Sequence, residues 1–349
     1  MVYVVRNLRF VLLGTGTSGG IPIIACECPT CTSDDPRDRR LRSGAAVMWT
    51  DPAGRERVVL IDATPDLREQ ALRHRLRRCD AILFTHNHVD HIFGLDEVRR
   101  FNAVMRAPID VYAERATMDS LRRVYKHIFE KDGNVNDSFV ATLIPRLIEP
   151  ARPIDIHGMR FTPIRLLHGR LPIVGFRVEE KRQQGIEASW HRGMKDDGEA
   201  GDGASRRAAI SRQPASGDGG AEGGTAAQVF PLAYCTDVSG IPTESWGLLE
   251  GLGTLVLDGL RIRHHPTHFN LDQAVDVALR VGARQTYLTH IAHEIRHAEV
   301  DAGLPQGINL AWDNLILGGG QEADSPEIAR RGAEDAALEG APDPRFEDV

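Results

Sequence analysis

The segment Thr85-His-Asn-His-Val-Asp-His91 follows directly on the apolar run Ala81-Ile-Leu-Phe84. A short apolar run that breaks into a cluster of ligand-type side chains reads as a buried strand whose end opens into a metal site. If the chain stays extended there, His86 and His88 point to the same side. Asp90 and His91 then turn toward a second position. Imidazole suits Zn, Mn or Fe, and a carboxylate suits a harder ion or a bridging role. Two neighbouring ions held this way can make a hydroxide at neutral pH and clamp a displacement at phosphorus or carbonyl carbon.

The same arrangement recurs along the chain. Val58–Ile61 runs into Asp62, Thr162–Leu167 into His168, Leu232–Thr236 into Asp237, and Thr286–Thr289 into His290. Any one of these reads equally well as a turn-forming Asp or a half-buried histidine. Five together point to one sheet edge, where ligand sites collect in α/β folds. The strand candidates are Arg9–Leu13, Val58–Ile61, Ala81–Phe84, Ile109–Tyr112, Arg160–Leu166, Val174–Glu179, Val229–Cys235, Thr254–Leu257 and Gln285–Thr289. Helical signals alternate with them. Leu271–Val281 has Asn270 as N-cap, Gln273 to close a capping box, and Gly282 as its stop. Its apolar face is expected to be Leu271, Ala274, Val275, Ala278 and Leu279. Thr64-Pro65 is expected to open another helix. Such alternation predicts a layered α/β fold.

The spacing H-x-H-x-D-H at 86–91 resembles that of the metallo-β-lactamase superfamily. The resemblance implies a four-layer αβ/βα sandwich with metals on one edge. It implies His86, His88 and His168 as ligands of one ion, Asp90, His91 and His290 as ligands of a second, and Asp237 as the bridge. Asp62 matches an early aspartate that supports a site histidine and fixes its tautomer. Di-iron electron-transfer relatives carry Glu where this chain has His88, which favours hydrolysis over redox chemistry.

Cys26-Glu-Cys-Pro-Thr-Cys31 places three thiols within six residues. C-x-C-x2-C can clamp Zn at three points, although a redox or nucleophilic role is open to the same residues. No fourth ligand lies nearby in sequence. One branch of the superfamily completes this triple with a histidine three residues after the last active-site histidine, which here is His293. That branch includes a phosphonate-pathway cyclic phosphodiesterase and a pyrroloquinoline-quinone biosynthesis protein. Cys79 and Cys235 stand in apolar surroundings and read as core. The loop Gly14–Gly20 lacks the Lys of a P-loop and reads as a tight turn beside the site.

His264-His-Pro-Thr-His268 precedes the helix capped by Asn270. Taken alone, His268 is as readily structural as catalytic. In the phosphodiesterase branch the corresponding histidine is the proposed general acid. His268 and Asp90 are therefore the expected catalytic residues.

Composition adds bounds. A chain of 349 residues with 42% hydrophobic content can bury a sizeable core. No apolar stretch reaches the eighteen residues of a membrane span, and Arg6 and Arg9 interrupt the apolar start, which argues for a first strand over a signal peptide. Five cysteines, three of them crowded, suit a reducing, cytoplasmic setting. Most of the net charge of −7 belongs to the tail from Gln321, so the body is nearly neutral and carries no charge signature for nucleic acid. We expect one hydrolase domain over residues 1–320, a glycine-rich flexible insertion over 181–228, and a disordered acidic tail over 321–349. The expected cofactors are two active-site divalent metals, Zn or Mn, and one structural Zn. The expected activity is that of a dinuclear phosphodiesterase acting by metal-hydroxide attack on a small cyclic or nucleotide-like phosphodiester. A tRNA 3′-processing-like hydrolase and a pyrroloquinoline-quinone-biosynthesis-like protein are the alternatives. No membrane partner is expected, nucleic acid is disfavoured, and a homodimer is left open.

Overall fold

A computed structural model describes residues 5–130, 139–181 and 225–319. The first sheet contains β1 (Arg6–Gly14), β2 (Gly44–Thr50), β3 (Glu56–Ile61), β4 (Ala81–Leu83), β5 (Ile109–Ala113) and β6 (Leu143–Leu147). The second holds β7 (Ile154–Ile156), β8 (Met159–His168), β9 (Leu171–Glu180), β10 (Leu232–Cys235), β11 (Thr254–Asp258), β12 (Gln285–Thr289) and β13 (Ile308–Leu310). The last strand, β14 (Ile316–Gly318), returns to the first sheet beside β1. The strand orders are β14-β1-β2-β3-β4-β5-β6 and β13-β12-β11-β10-β9-β8-β7. In the first sheet β14, β1, β2 and β3 pair antiparallel, and β3 through β6 pair parallel. The second repeats this plan: β7 to β10 are antiparallel and β10 to β13 parallel.

Both faces of the central strands are buried, which is why they read as continuous apolar runs. Along β3, Val59 and Ile61 face the other sheet while Val58 and Leu60 face outward to helices. Phe10 and Leu12 of β1 meet Phe161, Phe176 and Tyr234 between the sheets. The outer face of the first sheet is covered by residues of α1 (Leu67–Arg73), α2 (Val89–Ile92), α3 (Arg99–Met105), α4 (Arg115–Val124) and α5 (Lys126–Phe129). After α6 (Ala226–Val229), the outer face of the second sheet takes α7 (Leu271–Val281) and Val300 of α8 (His297–Asp301). Helix, sheet, sheet, helix is the expected four-layer sandwich.

Several local expectations hold in detail. Asn270 caps α7, accepting from the Gln273 N–H at 3.0 Å, and Gly282 follows at φ +65°. Cys79 and Cys235 are fully buried in the two outer cores.

Others need correction. In α7 the packed stripe is Leu271, Ala274, Val275, Val277, Ala278 and Val281, and Leu279 is exposed, because at 100° per residue it falls past the edge of that stripe. α1 begins at Leu67, not at Pro65. The Thr64 carbonyl first closes a turn with the Leu67 N–H at 2.9 Å, which delays the helix by one step. Val229 belongs to α6, whose Thr225–Gln228 capping box starts a helical turn where an insertion end and a strand start were expected. The rest of the expected insertion, 182–224, and the expected tail, 321–349, lie outside the described residues. β2, β6, β7, β13 and β14 were not anticipated. Pro145 hides β6, and it is tolerated because β6 is the sheet edge.

Candidate metal centre and active site

Three strand-end residues turn with positive φ: Asp62 at 65°, Asp237 at 60° and His290 at 58°. Non-glycine residues rarely adopt this region, and strain of this kind collects where side chains must be aimed. Here the turn ends each strand and swings the side chain to the common sheet edge.

Asp62 is buried and accepts the Thr85 N–H and the Thr85 hydroxyl, each at 2.8 Å. It also accepts the His91 Nδ1–H at 2.7 Å. The Asp62 bond fixes the His91 tautomer and leaves Nε2 for the site. Because the Thr85 hydroxyl donates to Asp62, it accepts from His86 Nδ1 at 3.0 Å, so His86 Nε2 is also left as a lone pair. His91 Nε2 lies 3.3 Å from Asp90 and 3.2 Å from Asp237, and His290 Nε2 lies 3.2 Å from Asp237. Asp90, His91, Asp237 and His290 thus form one tight group, and Asp237 also belongs to a second with His168 and His268. His86, His88 and His168 gather beside it, with ring separations of 4.5 Å (86–88), 5.0 Å (88–168) and 5.7 Å (86–168). His88 is the exposed member.

The fit of this set to metal rests on its unpartnered atoms. His86 Nε2, His91 Nε2, His290 Nε2 and His168 Nδ1 are buried without hydrogen-bond partners. Each such atom costs roughly 1–3 kcal/mol unless something binds it. Imidazole nitrogens facing two carboxylates make a donor set that divalent ions satisfy.

The electrostatics follow burial and pairing. Burial opposes charge on His91, but Asp237 and Asp62 outweigh it and hold its imidazole well above the usual range. His290 is likewise held up at about 9 against burial, by Asp237 and Asp90. Burial, with the charge on His91, pushes His86 well down. Burial also lowers His168 to about 4, with Asp237 opposing. Asp237 is itself held well below the carboxylate range, since His290 and His91 overcome its burial.

His268 sits against this group, its ring 4.5 Å from His168 and stacked on His290 at 4.8 Å. Asp258, the last residue of β11, accepts from His268 Nδ1 at 2.7 Å and from the Val238 N–H at 2.7 Å. Burial and His290 depress His268 to about 4. Asp258 was missed in the sequence, although the signal was present. Leu255-Val-Leu-Asp258 is a sixth apolar strand ending in a polar group.

The structure brings Cys26, Cys28, Cys31 and His293 together in a second cluster. Cys26, Cys28 and Cys31 Sγ lie 3.2, 3.5 and 3.7 Å from His293 Nδ1. The Cys31 N–H pointing at its sulfur lowers the Cys28 thiol to about 6, while burial raises Cys31 to about 11. Three sulfurs around one imidazole nitrogen suit tetrahedral Zn. This N-terminal loop is tied to the C-terminal one elsewhere too. Buried Arg40 pairs with Asp38 at 3.0 Å and donates to the Ile295 carbonyl at 3.0 Å. Buried Asp313 accepts from the Thr15 and Leu41 N–H groups at 2.9 and 2.8 Å. Neither carboxylate was singled out in the sequence. The Gly14–Gly20 loop does lie beside the site, since Gly16 bridges Ile291 next to His290. No helix among the described residues is long and apolar enough to cross a membrane.

Known proteins share this fold. The model of the beta-lactamase superfamily domain matches residues 57–186 and 210–291. A solved structure described as a new diphosphatase from the PhnP family is 34% identical, covers 90% of this chain and 98% of its own, and superposes with a TM-score of 0.68. Zn(2+)-bound PqqB from Methylobacterium extorquens shares the fold at 18% identity, covering 88% and 99% of the two chains with a TM-score of 0.59. An octanoyltransferase of Porphyromonas gingivalis is 30% identical over 315 residues, 88% of this chain and 51% of that protein. The chain therefore spans about half the length of that curated relative. The chain belongs to the beta-lactamase superfamily and has the metallo-β-lactamase fold.

Proposed function

We propose that this chain is a dinuclear phosphodiesterase acting on a small cyclic or nucleotide-like phosphoric diester. The observation that carries the reading is the placement of Asp237 between two groups of buried, unpartnered imidazole nitrogens. In this reading His86, His88 and His168 would hold one ion and Asp90, His91 and His290 the other, and Asp237 would serve both. The ions, Zn or Mn, would supply Lewis acidity and an ionised water at neutral pH. The chain's own residues do the rest. Asp62 keeps His91 in one tautomer and Thr85 does the same for His86. Burial keeps water from competing for these groups. Asp258 holds the His268 ring by its Nδ1, so Nε2 is the atom that can pass a proton to the departing oxygen. The Cys26, Cys28, Cys31 and His293 group would hold one structural Zn that closes the N-terminal loop onto the segment after His290.

The diphosphatase relative extends the substrate class to P–O–P linkages, which break at phosphorus in the same way. A nucleic-acid substrate is a weaker reading, since the charge outside the acidic tail is nearly balanced. The test is hydrolysis of bis-p-nitrophenyl phosphate against p-nitrophenyl phosphate and a β-lactam, with added Mn or Zn. Diester turnover that disappears in His88→Ala supports the reading. A fully metallated protein that turns over no diester refutes it.

A further inference from the structure

The loop Arg261–His268 carries a histidine that the roles above leave unused. His265 is half-buried, with its ring 5.0 Å from that of His268. Its Nδ1 accepts the Thr267 backbone N–H at 3.3 Å and faces the Thr267 hydroxyl at 3.2 Å. A backbone N–H can only donate, so Nδ1 must be the unprotonated nitrogen. The ring proton of the neutral imidazole therefore sits on Nε2.

The loop holds this ring in place. Arg261 donates to the Arg263 and His264 carbonyls at 3.2 and 2.9 Å. A Cβ at Gly169 would meet Thr267 Cγ2 at 2.8 Å, so the loop is pressed onto the turn that follows His168. His265 is thus a preset N–H donor beside the proposed proton donor and at a more open position than it. A fixed donor beside developing charge is worth more than a mobile one, because it needs no reorganisation.

We propose that His265 is the specificity-determining residue of the leaving-group side. In this role its Nε2–H donates to an anionic phosphoryl oxygen on the leaving group. The preferred substrate is then one whose leaving group itself carries phosphate next to the broken bond, as in a diphosphate. This inference rests on the phosphate-hydrolase reading above.

The test compares ADP, whose departing group is a phosphate, with bis-p-nitrophenyl phosphate, whose nitrophenolate offers no phosphoryl oxygen. His265→Phe is expected to lower kcat/KM for ADP by roughly 10- to 100-fold, the loss for one hydrogen bond to a charged group. Bis-p-nitrophenyl phosphate should change less than about twofold, since it never makes that bond. His265→Gln, which keeps an N–H near the Nε2 position, should restore most of the ADP activity. Equal losses on both substrates would mean that His265 only props His268, and would overturn the proposal. No loss on either would overturn it too.

A binding measurement separates this failure from failure of the hydrolase reading. Methylenediphosphonate, which cannot be cleaved, is titrated calorimetrically into metal-loaded wild type and His265→Phe. A Kd that rises about tenfold in the variant supports the donor role, whatever the enzyme hydrolyses. An unchanged Kd, or no binding by the wild type, overturns it.

Discussion

His290 and His293 are three residues apart, yet they belong to two clusters built by different means. His290 joins a group in which the segment His86–His91 is met by single residues from other strand ends of both sheets. That group mixes imidazoles with carboxylates, is fully buried at His91, and is exposed at His88. His293 joins three thiols from a single short loop, with no carboxylate among the four ligand-type residues. The first arrangement keeps one side reachable and surrounds its members with supporting groups such as Asp62, Thr85 and Asp258. The second has four ligand-type atoms converging on one point, with Cys31 buried and the other three half-buried. Open sites with oriented ligands suit catalysis, and closed thiolate sites suit stapling. The difference predicts that damage to one should appear in turnover and damage to the other in stability.

The sharpest way to break that contrast is His91→Ala. It should lower diester turnover by at least ~10³-fold and remove one ion per chain, while melting of the Cys-bound Zn form changes little. Metal analysis and steady-state rates check both halves. Cys28→Ser should do the reverse. We expect ~2–4 kcal/mol of lost stability, as for removal of a metal staple, seen in denaturant unfolding, with residual folded protein still turning over. If Cys28→Ser instead destroys turnover in folded, metallated protein, the two clusters are one functional unit.

Asp258→Asn sharpens the picture inside the first cluster. It should cost about 10- to 100-fold in kcat on diesters with poor leaving groups. The loss should shrink with p-nitrophenolate, which needs no proton. A loss independent of the leaving group would deny His268 the role of acid.

The smallest effect concerns His297, whose N–H bonds Asp38 at 2.8 Å beside the thiol loop. Burial and nearby Arg37 lower its imidazole to about 4. The unfolded chain takes up a proton near pH 6.5 that the folded chain refuses until about pH 4. This contribution is therefore present above pH 6.5 and is lost as pH falls toward 4. Unfolding measured from pH 7 to 4 should fall less steeply in His297→Phe, by ~1 kcal/mol.

What could be read in advance divides along the same line. His86, His88, Asp90 and His91 are legible because four ligand-type residues within six positions have no common structural explanation. Asp62, His168, Asp237 and His290 are legible only as a repeated pattern of polar residues after apolar strands. Asp258 fits that pattern and was still passed over, because nothing in Leu255-Val-Leu-Asp258 distinguishes a partner of His268 from a turn residue. β2 was missed although its run Gly-Ala-Ala-Val-Met-Trp is apolar, since both of its faces are buried and no alternation marks it. The α6 start was missed because a helix of four residues gives no period to read.

The amino-acid order by itself determined the layered α/β class, the α7 capping box, the local histidine cluster and the thiol triple, since each depends on neighbours a few residues apart. The tertiary structure alone decided which strand ends meet, that Asp258 reaches His268, that Thr267 sets the His265 tautomer, and that Asp38 and Arg40 bind the front loop to the back. Those contacts join residues from two to more than two hundred and fifty positions apart, through hydrogen-bond directions and buried pairs that spacing does not encode.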